Sequence, residues 1–293
     1  MSIIFDITSS DSAYSFLLDT LGLQPGELIM EYLVECGKDV DLFWERNRHR
    51  LNKLNLKDVH FVAFHVTGSL DDCQEIKKTG IRNLQYVLSH NTMLSRLLKR
   101  GDITFDIENR IMCVNGRTFD IDYEHYRGRC LLTPEEKQLD AIAHRIYYDF
   151  CVDGFWVNDD IEGYGTDIHE RPEFISKLIK MSPKAKRLDA FWRSKSKPYK
   201  IIFYATLEQI HKFTFGLEKN YDPYTENEQE TIKKWMLRMA LDQAFDPGGE
   251  HYIYIRDNEY IPSEQIIRCG EISQIPICRS QHAETFLRGI VSA

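Results

Sequence analysis

Two hydrophobic periods run along this chain, and the change between them divides it near residue 58. Over residues 1–57 the apolar positions recur at helical spacing. Ser10–Leu21 starts on Ser/Asp caps and carries Tyr14, Leu17, Leu18 and Leu21 on one side. Pro25 suits a first helical position and opens a second helix through Leu28, Met30, Leu33 and Val34, interrupted at Gly37. A charged amphipathic segment, Val40–Leu54, follows. These predict a helical N-terminal extension, 1–57, that packs on a main domain, 58–293, or on a partner.

From Val59 the pattern changes. "VHFVAFHVT" is β-branched, aromatic and almost continuously apolar, which predicts a strand buried on both faces. A turn and short helix from Ser69 stop at Gly80, and a helix is expected over Tyr86–Lys99, ending at Gly101. "DITFDI", "RIMCV" and "RTFDIDY" read as short strands, the last two joined by Asn115-Gly116, a strong hairpin signal. Thr133, Pro134 and Glu136 form a capping box at the head of another helix, with Leu139, Ile142, Ala143, Ile146 and Tyr147 as its apolar face. "GFWVNDD" and "PYKIIFYATL" read as strands, and 225–245 as a helix stopped by Pro247-Gly248-Gly249. "YIYIRDNEYIPSEQII" (252–267) alternates like a hairpin with its bend at Arg256–Asn258. The expected class is α+β, with a split mixed or antiparallel sheet.

Composition removes several possibilities. No apolar run approaches the ~20 residues of a membrane span, and the first residues lack the basic and long apolar regions of a secretory signal, so a cytoplasmic protein is expected. Seven cysteines without a CxxC spacing argue against a disulfide scaffold or zinc ribbon, and no HExxH or Cys/His cluster predicts a metal site. Walker A, GxSxG and complete Rossmann glycine patterns are absent. The net charge of −8 argues against general coating of nucleic acid. Residues 176–200 depart from that average, with nine Lys/Arg against one acid and with Phe191, Trp192 and Tyr199 interleaved. Lys184, Lys186, Arg187, Trp192, Arg193 and Lys195 are therefore candidates for contact with RNA or single-stranded DNA, through phosphate neutralisation and base stacking. A solvated helix, or the docking surface of an acidic protein inhibitor, is the competing expectation.

Candidate chemistry begins at His65. It shares a strand face with Thr67, beside the Gly68-Ser69 turn, as a pocket wall would. "FHVTGSLDDCQEIKKTGI" resembles the first NAD-binding motif of the ADP-ribosyltransferase fold in its diphtheria-toxin/PARP-like branch, with Gly80-Ile81 matching its "GI" step. "NEYI" (258–261) is similar to that branch's third motif, where a glutamate leads into an apolar strand. The resemblance covers about residues 58–280 and departs at Val66, where the branch carries Gly. It implies NAD as a substrate, Glu259 as the catalytic carboxylate, and His65, Val66, Thr67 and Gly80 around the dinucleotide. The nicotinamide-stacking aromatic is left among Phe155, Trp156 and Tyr164, with Trp156 and Tyr164 carried forward. It further implies mono-ADP-ribosyl transfer to a nucleic-acid or protein acceptor by an intracellular toxin or phage-defence effector, with an antitoxin as partner. An NAD-hydrolysing enzyme and a non-catalytic interaction protein of the same fold are the alternatives. Glu259 could also be a solvated turn carboxylate.

Overall fold

The computed structural model describes residues 3–164 and 167–272, and Cys278 lies outside them. Among the described residues, nine strands form two sheets. The larger contains β1 (Ile3–Asp6), β2 (Val59–Ser69), β6 (Asp153–Asn158), β7 (Lys197–Ala205), β8 (Glu250–Tyr254) and β9 (Ile266–Glu271), in the order β8-β6-β2-β7-β9. β1 adds to β2 in parallel and the other pairings are antiparallel, so the sheet is mixed. The smaller sheet is the meander β3 (Ile103–Asp106), β4 (Ile111–Val114) and β5 (Arg117–Asp120). The fold is α+β, and no helix among the described residues is long and apolar enough to cross a membrane.

β2 is the axis of the molecule because Val59, Phe61 and Ala63 on one face and Val62, Phe64 and Val66 on the other are all buried. One face carries Phe61 and Ala63, and meets Phe203, Trp156 and the helices Ser10–Leu21 and Glu226–Phe245. The other carries Phe64 and Val66 in a small cluster with Phe155. A second core fills the space between the meander and the helices Met93–Arg100, Pro134–Tyr147 and Pro183–Lys195, around Ile103, Met112, Ile142 and Trp192. Predicted caps are present: Ser9 Oγ accepts from Ser12 N at 3.1 Å, and Thr133 and Glu136 exchange bonds at 2.8 and 3.2 Å.

Three expectations change. Residues 3–6 form a strand on the sheet rather than part of a helical extension, and Phe5 lies in the main core. The helix expected over Tyr86–Lys99 is two helices, Leu84–Ser89 and Met93–Arg100. Thr92 breaks the run by capping the second, accepting from Ser95 N at 3.2 Å. The hairpin at 252–267 does not form: β8 pairs with β6 and β9 with β7, on opposite edges of the sheet. The bend is pinned instead by long-range contacts. Asp257 takes hydrogen bonds from His211 (3.0 Å) and Tyr221 (2.6 Å), and Ile255 and Ile261 form bridges with Ile210 and Ile81.

Candidate functional site

The cavity follows from how β2 pairs along its length. β1 occupies one edge of β2 over Val59–Val62, β6 touches that edge only at Phe64↔Phe155, and β7 holds the opposite edge through to Ser69. Beyond Phe64 the chain of β2 separates from the segment entering β6. A cavity of about 260 Å3 opens there, lined by residues 65–71 on one side and 149–155 on the other. Helix Gln74–Thr79 with Gly80–Arg82, and Tyr164, Arg171 and Tyr252, contribute further walls.

His65 lines this cavity and is anchored through Nδ1 to the Asp153 carbonyl at 2.8 Å. A carbonyl only accepts, so Nδ1 carries the proton and Nε2 of the neutral ring is an acceptor. Thr67 also lines the cavity, and its hydroxyl makes no hydrogen bond among the described residues. Val66 lines the same wall, but its side chain is buried in the Phe64/Phe155 cluster. Arg145 is held by Asp149, by Glu173 at 3.4 Å and by Asp153 at 4.0 Å, which fixes the strand entry whose carbonyl orients His65. Arg82 has no carboxylate within ion-pair distance among the described residues. Its guanidinium lies 3.4 Å from the Tyr260 ring centre and 4.8 Å from that of Tyr86.

Gly80 and Ile81 meet the 259–262 segment, so the two sequence motifs that carried the resemblance are physically joined. The junction is backbone pairing, with Ile81 N to Ile261 O at 2.8 Å and Ile261 N to Ile81 O at 3.1 Å. Gly80 sits at φ +80°, and a Cβ on it would lie 2.1 Å from the Ile261 carbonyl oxygen. Glu259 belongs to the loop before this junction. It is half-buried, outside the cavity lining, and its side chain has no hydrogen-bond partner among the described residues.

A different carboxylate approaches from β8. Glu250, the exposed first residue of that strand, accepts a hydrogen bond from the Tyr252 hydroxyl, which also lies 3.4 Å from the Tyr164 hydroxyl. Tyr252 and Tyr164 both line the cavity, and Tyr164 with Glu250 lines a shallow recess beside it. Burial, then the bonds to Glu250 and Tyr164, push the Tyr252 phenol well above its ordinary value, so it stays a donor. The signal for Glu250 was present in "EHYIYI": two residues apart on a strand, Glu250 and Tyr252 share a face.

Trp156 does not reach the cavity. Next to Phe155 on β6 it points to the opposite face, so its indole lies in the main core, fully buried, with its ring centre 4.4 Å from that of Trp235 and 6.1 Å from that of Phe5. Of the candidate aromatics, Phe155 and Tyr164 line the cavity, their rings edge to face at 5.4 Å.

The basic segment is also reordered by packing. Trp192 is buried and its Nε1 donates to Gly68 O at 2.9 Å, so it offers no surface for a base. Arg193 is held by Asp167 at 2.9 Å, by Asp189 at 3.4 Å and by Glu170; Lys184 pairs with Asp102. Lys186, Arg187 and Lys195 are exposed, with Phe191 beside them. No family model, curated protein or solved structure matches this chain.

Proposed function

We propose that this chain is an NAD-dependent mono-ADP-ribosyltransferase whose reaction centre is the cavity at the open end of β2. The observation that carries the reading is the convergence of His65, Thr67, Tyr164 and Tyr252 on one cavity, with Glu250 bonded to Tyr252 in the adjoining recess. In this reading His65 Nε2 accepts from a ribose hydroxyl, and Thr67 Oγ bonds the sugar or the carboxamide. Tyr164 stacks on the nicotinamide, and Arg82 meets the pyrophosphate. Cleavage breaks the C–N glycosidic bond, sending its electron pair to the nicotinamide nitrogen and leaving oxocarbenium character on the ribose. Glu250 stabilises that charge and takes the proton of the attacking acceptor, whose oxygen or nitrogen forms the new bond to C1′. Tyr252 fixes the carboxylate. Lys186, Arg187 and Lys195 favour a nucleic-acid acceptor, RNA or single-stranded DNA, over a protein.

The test incubates purified protein with NAD and with labelled RNA, single-stranded DNA or protein lysate. Nicotinamide release and a mass increase on the acceptor are expected. Glu250→Gln lowers the rate by about 10²–10³-fold, the size typical of losing one preorganised electrostatic group. Glu259→Gln stays near wild type. No nicotinamide release under any condition refutes the enzymatic reading, and a selective loss in Glu259→Gln overturns the choice of carboxylate.

A further inference from the structure

A cationic and aromatic row starts in the cavity wall, and the chemistry above uses only its first members. Arg82, Tyr86 and His90 recur at i, i+4 and i+8, which sets them in one line along the helix Leu84–Ser89 and its two ends. The spacing is realised as a stack. The Arg82 guanidinium lies 3.4 Å from the Tyr260 ring centre and 4.8 Å from that of Tyr86. The Tyr86 and His90 rings follow with centres 3.8 Å apart and planes inclined by 14°. Arg82 and Tyr86 line the cavity, whereas His90 is exposed at the outer end. The row is pinned along its length. Arg82 Nε donates to Thr79 O at 2.9 Å, and His90 Nδ1 donates to Tyr86 O at 3.1 Å. Beyond Tyr86, the His90 imidazole meets no further ring among the described residues.

The charge around this row is one-sided. Residues 74–100 hold six Lys/Arg (77, 78, 82, 96, 99, 100) against one acid, Glu75, in a chain of net charge −8. Glu75 is itself engaged, accepting from Met93 N at 2.8 Å and pairing with Arg96 at 3.4 Å. Lys78, Lys99 and Arg100 are exposed and make no ion pair among the described residues. Arg96, Lys99 and Arg100, at i, i+3 and i+4, share the outer face of the helix Met93–Arg100, while Leu94, Leu97 and Leu98 sit in the second core. Over about 12 Å this helix leads from the segment after His90 to the helix Pro183–Lys195. The two helices are joined there: a Cβ on Gly101 would fall 2.5 Å from Leu188 Cδ1, and Lys184 pairs with Asp102.

We propose that His90 and the outer face of the helix Met93–Arg100 form a binding track for a single-stranded nucleic acid, with one unpaired base stacked on His90 and the backbone phosphates on Lys99 and Arg100. This names the acceptor surface of the reaction centre and rests on the reading given for it. The stack supplies a flat face at the outer end of a fixed ladder, which suits any base because every base has a π-face. A duplex does not fit this surface, since its bases are already stacked on both sides. An acidic peptide would meet the cations and leave the imidazole without a ring. The row also gives direction: a base held on His90 is two stacked side chains away from Arg82 in the cavity wall, so the track delivers its strand to the mouth where the acceptor must enter.

Fluorescence anisotropy with the full chain and no NAD tests the track. The probes are a labelled single-stranded RNA of about ten nucleotides and an abasic strand of the same length, which keeps the phosphates and lacks the bases. His90→Ala should bind the RNA about 5–150-fold more weakly, the loss of one base–aromatic stack, and bind the abasic strand as wild type does. Lys99→Gln/Arg100→Gln should weaken both probes and reduce the slope of log affinity against log salt by about 1.4, two lost phosphate contacts on a single strand. Four results each overturn the proposal: wild-type RNA binding by His90→Ala, an equal loss on both probes in that variant, an unchanged salt slope in the charge variant, or a loss of NAD affinity in His90→Ala as large as its loss of RNA affinity, which would give the stack to the adenine of the dinucleotide. The assay also separates this surface from the reaction. If no variant releases nicotinamide from NAD, the reaction is refuted and the RNA titrations still decide the track. If nicotinamide is released while His90→Ala binds RNA normally, the track alone is removed.

Discussion

Replacing Gly80 by alanine tests how the cavity wall is built. At φ +80° and ψ −177° the backbone is in a region open essentially to glycine, and a side chain there costs about 1–3 kcal/mol. The added Cβ also falls 2.1 Å from the Ile261 oxygen and 2.9 Å from Pro262 Cα, both main-chain atoms that no rotamer change can clear. Relief requires the two segments to part, which breaks both Ile81–Ile261 hydrogen bonds. At a net ~0.5–1.5 kcal/mol each, these add about 1–3 kcal/mol. The smaller entropy of the unfolded alanine chain returns roughly 0.4–1 kcal/mol. The expected destabilisation is then about 2–5 kcal/mol, a fall in Tm on the order of 3–8 °C for a chain of this size. Gly22 is the matched control. It lies at φ +60° with nothing within 4 Å of an added Cβ, so Gly22→Ala should cost only about 1–2 kcal/mol. Differential scanning fluorimetry on both variants measures the difference. If Gly80→Ala melts within about 2 °C of Gly22→Ala, the close approach to Ile261 does not hold the wall, and the joining of the two motifs is energetically unimportant.

Two further outcomes follow from the exposed and buried charges. The double charge reversal Lys186→Glu/Arg187→Glu should weaken binding of single-stranded RNA severalfold at low salt and lose its effect at high salt in a fluorescence-anisotropy titration; salt-independent or unchanged binding removes the basis for a nucleic-acid acceptor. Burial holds the His211 imidazole below its ordinary value, with the Asp257 hydrogen bond opposing, so unfolding at mildly acid pH takes up a proton that the folded ring refuses. That contribution is fully present above about pH 6.5, the unfolded value, and is lost as pH falls through that point toward the folded one. The drop in Tm between pH 7.5 and 5.5 should therefore shrink in His211→Gln, and an unchanged drop in that variant would show that this histidine is not the linked group.

Much of the secondary structure was legible because it depends on local chemistry. Ser9, Thr133 and Gly22 end helices through their own side chain or backbone freedom, and such signals act over a few residues. The apolar run of β2 marked it as a strand covered on both faces. What local reading could not supply was pairing. Alternation at 252–267 is equally compatible with a hairpin and with two strands on opposite edges, and only Asp257's capture by His211 and Tyr221, tens of residues away, decides between them. Trp156 and Phe155 differ in role by simple alternation along β6, which the sequence shows once the strand is placed; what it does not announce is the bulge that turns Val157 to the same core as Trp156. Trp192 was more readable than its basic neighbours suggested. Ala185, Leu188 and Trp192 recur at helical spacing, and that stripe faces the second core while Lys186, Arg187 and Lys195 face outward.

The same reasoning explains why two carboxylates with similar surroundings in sequence have different prospects. Glu259 and Glu250 each precede a Tyr–Ile pair, Glu259 directly and Glu250 across His251. After Glu259 the chain turns into the Ile81–Ile261 junction, so Tyr260 serves as a platform for Arg82 and the carboxylate is left in a loop. After Glu250 the chain runs into β8 beside β6, so Tyr252 stands on the same face and its hydroxyl bridges Glu250 to Tyr164 at the cavity. A carboxylate acts on a reacting centre only when its position is fixed relative to the groups that hold the substrate. By that criterion Glu250 is placed by a strand, a neighbouring phenol and the register of β6, whereas the Glu259 carboxylate has no side-chain hydrogen bond among the described residues to hold it. The charge at a strand mouth is informative when the next residue on its own face is bonded to it and lines the cavity, and here that residue is Tyr252.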